Sequence, residues 1–160
     1  MLDLPDSGLY RTTEPMPGHE NDVPAGVLVY LGVSDNGGGK FIVRPGDNRR
    51  NRWFWGEPAT PLRSPSWART LMRLPSEGFY TLPESLELEG GGRWLENAIV
   101  QLGYNGKGQG IVFVAEWNEV GADNVLSFGT RGILIDDRLL LRLKWAPILP
   151  VSSNPNATDG

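Results

Sequence analysis

Apolar positions along this 160-residue chain fall in short runs of Val, Ile, Leu and aromatic residues, each bounded by Gly, Pro, Asn or Asp. Short β-branched and aromatic runs between turn residues are strand signals. They predict strands near 8–13, 26–33, 40–45, 51–56, 78–82, 95–103, 110–115, 124–129 and 131–135. The clearest hairpins join Leu28–Leu31 to Phe41–Val43 and Ile99–Leu102 to Ile111–Val114. Their loops, 34–39 and 105–110, supply Asn, Asp and Gly, which tolerate the positive φ of tight turns. Twenty-one Gly and thirteen Pro argue against long helices, because both interrupt regular structure.

The order of these runs recurs. Gly8-Leu9-Tyr10 is answered by Gly78-Phe79-Tyr80, and Val27–Gly32 by Ala98–Gly103. Asp35-Asn36-Gly37 followed by Phe41-Ile42-Val43 is answered by Tyr104-Asn105-Gly106 followed by Ile111-Val112-Phe113. Asn51–Gly56 matches Asn124–Gly129, and Trp67–Pro75 matches Leu139–Pro147 loosely. A period of about 70 residues dictates the architecture before any single element does. The expected fold is all-β with one or two short helices. It consists of two tandem SH3-like small barrels from an internal duplication, packed as one globule with pseudo-twofold symmetry. The boundaries are an N-terminal extension (1–7), a first β repeat (8–77), a second β repeat (78–150) and a disordered tail (151–160). Pro75-Ser76-Glu77 is too short for a flexible tether, so the two units should pack.

Two segments depart from the strand pattern. With Ser66 as N-cap, Trp67, Leu71 and Leu74 would share one face of a short helix ended by Pro75. Asp136-Asp137 would cap a similar helix over Arg138–Trp145. Their equivalent places in the two copies predict one common state, a short helix.

Composition narrows the chemistry. No cysteine is present, which removes disulfides, thiolate nucleophiles and thiolate metal sites. No run approaches a membrane span, and residues 1–20 lack the basic start and apolar stretch of a signal peptide, so a soluble cytoplasmic protein is expected. The net charge of −4 is uneven. Residues 1–75 hold nine Lys/Arg against eight Asp/Glu, whereas residues 76–160 hold six against eleven. An acidic chain is a poor general nucleic-acid binder, since that affinity rests on phosphate neutralisation.

Motifs for catalysis are weak. His19 is the only histidine, and no second His, GxSxG or HExxH accompanies it, so a polar surface loop explains it better than a general base. Gly37-Gly38-Gly39-Lys40 lacks the Ser/Thr and following helix of a phosphate loop. Asp136-Asp137 would point to opposite faces of a strand and reads better as a cap than as a catalytic pair. No cofactor and no metal is expected.

The remaining cluster is Asn48–Trp55, where arginine alternates with aromatic residues. Arg52 and Phe54 should take one face, and Trp53 and Trp55 the other, with Trp55 filling core as Phe128 does in the second copy. Arg49, Arg50 and Arg52 have no basic counterpart there. Such clusters are enriched at interfaces. The expectation is a non-enzymatic adaptor module that binds a partner protein through Arg49, Arg50, Arg52, Trp53 and Trp117. The alternatives are nucleic-acid binding by the same cluster, an enzyme using His19, and a structural subunit of a larger assembly. The sequence does not fix the oligomeric state.

Overall fold

The computed structural model describes residues 4–35, 39–56, 59–88, 90–120 and 123–146, with backbone alone at 116–120, 123–126, 130 and 131. In chain order the first half holds β1 (Gly8–Arg11), β2 (Leu28–Val33), β3 (Lys40–Val43), β4 (Pro45–Arg49), β5 (Arg52–Trp55), β6 (Thr60–Pro61), α1 (Pro65–Ala68) and β7 (Met72–Arg73). The second half holds β8 (Gly78–Thr81), β9 (Leu86–Glu87), β10 (Arg93–Trp94), β11 (Ile99–Tyr104), β12 (Gly110–Val120), β13 (Asp123–Leu134), α2 (Asp137–Leu140) and β14 (Lys144–Trp145). The chain is mostly strand, as the apolar pattern predicts.

Two five-stranded antiparallel sheets carry the fold, in the orders β6-β3-β2-β1-β7 and β13-β12-β11-β8-β14. Their registers correspond pair by pair. Gly8 opposite Leu31 is matched by Gly78 opposite Leu102, and Leu31 opposite Ile42 by Leu102 opposite Val112. Tyr10 opposite Arg73 is matched by Tyr80 opposite Trp145. Gly8 and Gly78 share φ +149°, a conformation that L side chains rarely adopt. Tyr10 donates its hydroxyl to Asp6 O and Tyr80 to Ser76 O, each at 2.7 Å and four residues back.

Among the described residues neither sheet closes on itself, because its two outermost strands do not pair. The helices are also shorter than the sequence pattern suggests. Ser64, not Ser66, caps α1 through the backbone N–H of Trp67, and a single turn follows. Asp136 caps α2 through Leu139 N. In both halves the chain then leaves the helix and returns as an edge strand, β7 or β14, beside the opening strand. The Leu71–Leu74 spacing that resembles a helical face thus spans a turn and a strand. Residues 124–129 and 131–135, read as two strands, belong mainly to one, β13, with a register shift between Phe113 and Ala115 on its partner. Leu4 to Ser7, within the N-terminal extension, are held against the first sheet: Lys40 donates to Leu4 O and Pro5 O, and Arg73 to Asp6 O and Ser7 O. The tail, 151–160, lies outside the described residues.

Among the described residues two apolar cores form. One belongs to the first half alone and contains Tyr10, Val29, Leu31, Ile42, Leu62 and Trp67. The other contains Tyr80, Val100, Leu102, Val112 and Leu140 of the second half, together with Leu9, Leu28 and Leu74 of the first. This sharing sets how the halves meet. The first half brings one face of β1 and β2, while the second brings the β11–β12 loop and α2. Leu28 N donates to Gly106 O at 2.9 Å, and Arg11 donates to Gly108 O and grips Asp137 with both guanidinium nitrogens at 2.6 and 2.9 Å. Different surfaces of two similar units meet, so the arrangement is head-to-tail rather than the twofold one expected.

Candidate functional site

Hairpin β4–β5 presents the arginine-aromatic cluster. Its two-residue turn, Arg50-Asn51, has both φ values positive (53° and 66°), the geometry that matches the twist of the flanking strands. Near its base Gly46 passes so close to Gly56 that an added Cβ would lie 3.1 Å from Gly56 Cα. A bulge between Pro45 and Asp47 bends the hairpin at that point.

The bent hairpin lies against the second half. Asn51 Nδ2 donates to Gln101 Oε1 at 2.9 Å and to Gly129 O at 3.1 Å, while Gln101 Nε2 donates back to Arg50 O. Gly103 permits the approach, since a Cβ there would be 2.9 Å from Asn51 O. The Trp53 indole N–H donates to Tyr104 O at 2.7 Å, and the Trp53 backbone N–H donates to Glu77 Oε2. Tyr104 in turn donates its hydroxyl to Pro75 O, and burial pushes that hydroxyl far above its ordinary pKa. Burial also raises the pKa of the Glu77 carboxyl, against the opposing pull of Trp53 N–H and Arg52.

The predicted alternation holds in this strand: Arg52 and Phe54 are exposed, whereas Trp53 and Trp55 are half-buried. Trp55 stacks on Tyr30 with ring centroids 5.4 Å apart. Arg49 pairs with Asp47 at 2.8 Å and lies over the Phe54 ring. Arg50 and Arg52 are exposed. Trp53 thus serves as an anchor inside the molecule, and the three arginines stand at the surface. Trp117 sits opposite Leu126 in the β12–β13 ladder, and its side chain lies outside the described set.

Between the hairpin, the Ser76–Phe79 linker and the Leu9–Tyr30 surface runs an open groove of about 900 Å³. Arg49, Arg50 and Arg52 line it with Phe54, Trp55, Tyr30 and Phe79. Apolar rings beside cationic heads suit an extended acidic or aromatic chain. Reading residues alone missed Glu77 and Gln101. Glu77 stands in the linker, and Gln101 is the one amide side chain in an otherwise aliphatic and aromatic β11 run, the signal by which the sequence marks it.

Other candidates are dispersed. His19 lies on an exposed loop and touches its neighbours by backbone bonds to Met16, Asp22 and Val23. The carboxylate of Glu20 accepts from the Gly18 N–H at 3.0 Å. Lys40 is occupied by the carbonyls of Leu4 and Pro5, and residues 36–38 of its glycine run lie outside the described set. Among the described residues no group of three His, Cys, Asp or Glu side chains could hold a metal ion. None of the helices described is long and apolar enough to cross a membrane. Arg44 Nη1 is buried without a hydrogen-bond partner beside a cavity of about 310 Å³, and burial lowers the guanidinium pKa. No protein-family model, curated protein or solved structure matches the chain.

Proposed function

We propose that this chain is a non-enzymatic protein-interaction module whose groove beside β4–β5 takes an extended segment of a partner protein. The carrying observation is the groove itself, with Arg49, Arg50 and Arg52 beside the rings of Tyr30, Phe54, Trp55 and Phe79. The arginines attract carboxylates, and the rings supply the apolar contact from which most interface energy comes. Anchoring the hairpin at Asn51 and Trp53 keeps those groups in place before a partner arrives, which lowers the ordering cost of binding.

The module reads as a tandem duplication of a small SH3-like barrel. The matching registers, the paired Tyr-to-carbonyl bonds and the short helical turn before each returning strand support that reading. The test is a tagged chain recovered from its own cell extract, beside an Arg49→Glu/Arg52→Glu double variant, at low and high salt and with nuclease. Both side chains are exposed, so the variant should fold with an unchanged melting curve. A protein recovered by the wild type, resistant to nuclease and lost from the variant, is the expected result. Equal recovery by both rejects the groove, and nuclease-sensitive material would instead establish nucleic-acid binding.

A further inference from the structure

The chain exposes, at its two ends, counterparts of both sides of a contact that it already makes internally. Within the seam, Leu28 is fully buried and Tyr104 is 2% exposed. By register, the second-sheet counterpart of Leu28 is Ile99, since Arg11 faces Leu28 as Thr81 faces Ile99. The first-sheet counterpart of Tyr104 is Val33, since Val33 faces Lys40 as Tyr104 faces Gly110. Ile99 is 51% exposed and Val33 is 53% exposed. Lys144, the counterpart of the half-buried Met72, is exposed too and shares the Ile99 face, since both face Thr81. The second half therefore leaves the Ile99–Thr81–Lys144 end of this face open, while its Gln101–Gly103 part lies under the β4–β5 hairpin.

We infer that a second copy of this chain covers it. The first half of the next copy, led by Val33, docks on the Ile99–Thr81–Lys144 surface as the second half docks on the first within one chain. Two observations select this occupant. The contact continues an interface whose geometry the molecule already realises, with matching backbone register on each side. The two halves also differ in charge, nine Lys/Arg against eight Asp/Glu in residues 1–75 and six against eleven in residues 76–160. A weakly basic half is drawn towards an acidic one more than towards its own kind.

The contact between copies is weaker than the internal seam, because the Arg11–Asp137 grip has no counterpart. Thr81 and Pro65 stand at those positions, the latter opening α1 as Asp137 opens α2. Association is accordingly reversible. It is also heterologous, so it propagates instead of stopping at two unless the rotation closes a ring.

Sedimentation velocity on the full chain over a rising concentration series tests this, with Ile99→Glu and Val33→Glu as single variants. The wild type should grow beyond a dimer, and each variant alone should weaken association by at least about tenfold. Mixed in equal amounts, the variants should recover a species that stops at two, because each retains the surface that the other has lost. A wild type that stays monomeric throughout overturns the inference. So does a closed dimer whose variants fail to complement. Should either Glu variant lose its cooperative melting transition, the Ile99→Ser and Val33→Ser pair gives the same readout.

Discussion

Leu28 and Ile99 occupy the same place in their sheets, yet one is sealed and the other is half open to water. Both are aliphatic residues at the start of the second strand of a five-stranded sheet, opposite the fourth residue of the opening strand. Intrinsic preference does not separate them. What separates them is a neighbour: the loop at Gly106 and the turn at Asp137 lie over Leu28, and no described segment plays that part for Ile99. Burial is here a property of the assembly of the halves, not of either half alone.

The largest effect expected from this difference is on stability. Leu28→Ala should cost about 3 kcal/mol, the usual loss when a buried leucine leaves a cavity. Ile99→Ala should fall within about 0.5 kcal/mol of wild type, as exposed substitutions do. Urea unfolding of both variants at a concentration where the chain is monomeric measures the contrast. Equal losses would mean that the two faces are covered alike and would remove the head-to-tail asymmetry.

A second comparison sharpens the likeness rather than the difference. Tyr10 and Tyr80 each hold a carbonyl four residues back, but Tyr10 also accepts from Arg73 Nη1 at 2.7 Å and sits below its guanidinium. At the matching position Trp145 meets Tyr80 edge-on with ring centroids 5.5 Å apart. Tyr80→Phe should cost about 1 kcal/mol, the net worth of a typical hydrogen bond. Tyr10→Phe should cost more, about 1.5 kcal/mol, because it strips one acceptor from a charged donor as well. Thermal melts of the two variants decide the order, and a cheaper Tyr10→Phe would show that solvent fully replaces the Arg73 contact.

These pairs also show what the residues declare by themselves. Hairpins β2–β3 and β11–β12 were legible because alternating β-branched runs flank Asn- and Gly-bearing loops. The cap at Asp136 was legible because a carboxylate ahead of an apolar stretch has a local role. Strands β6, β7, β9, β10 and β14 were not, each being only two residues long. A two-residue strand carries no periodicity and exists because its partner is already in place. The site divides in the same way. The exposed arginines followed from alternation along β5, whereas the inward anchoring of Trp53 depended on Tyr104, some fifty residues away.

The smallest effect lies at the joint between the halves, in Glu77. Burial raises its folded pKa above the unfolded value, so the folded state holds its proton to higher pH than the unfolded chain does. The contribution to stability is then most favourable below the unfolded pKa and declines as pH rises through the unfolded and then the folded value. Arg52 and the Trp53 N–H oppose the shift, and solvent reaches the carboxylate, so the decline should be under about 1 kcal/mol. Glu77→Gln keeps an oxygen to accept from Trp53 N–H and removes the charge. Urea midpoints of wild type and variant between mildly acidic and neutral pH should therefore converge at low pH and separate above it, with the variant the more stable. A variant that instead loses stability at neutral pH would show that the attraction between Glu77 and Arg52 outweighs burial, making the hairpin's hold on the linker electrostatic.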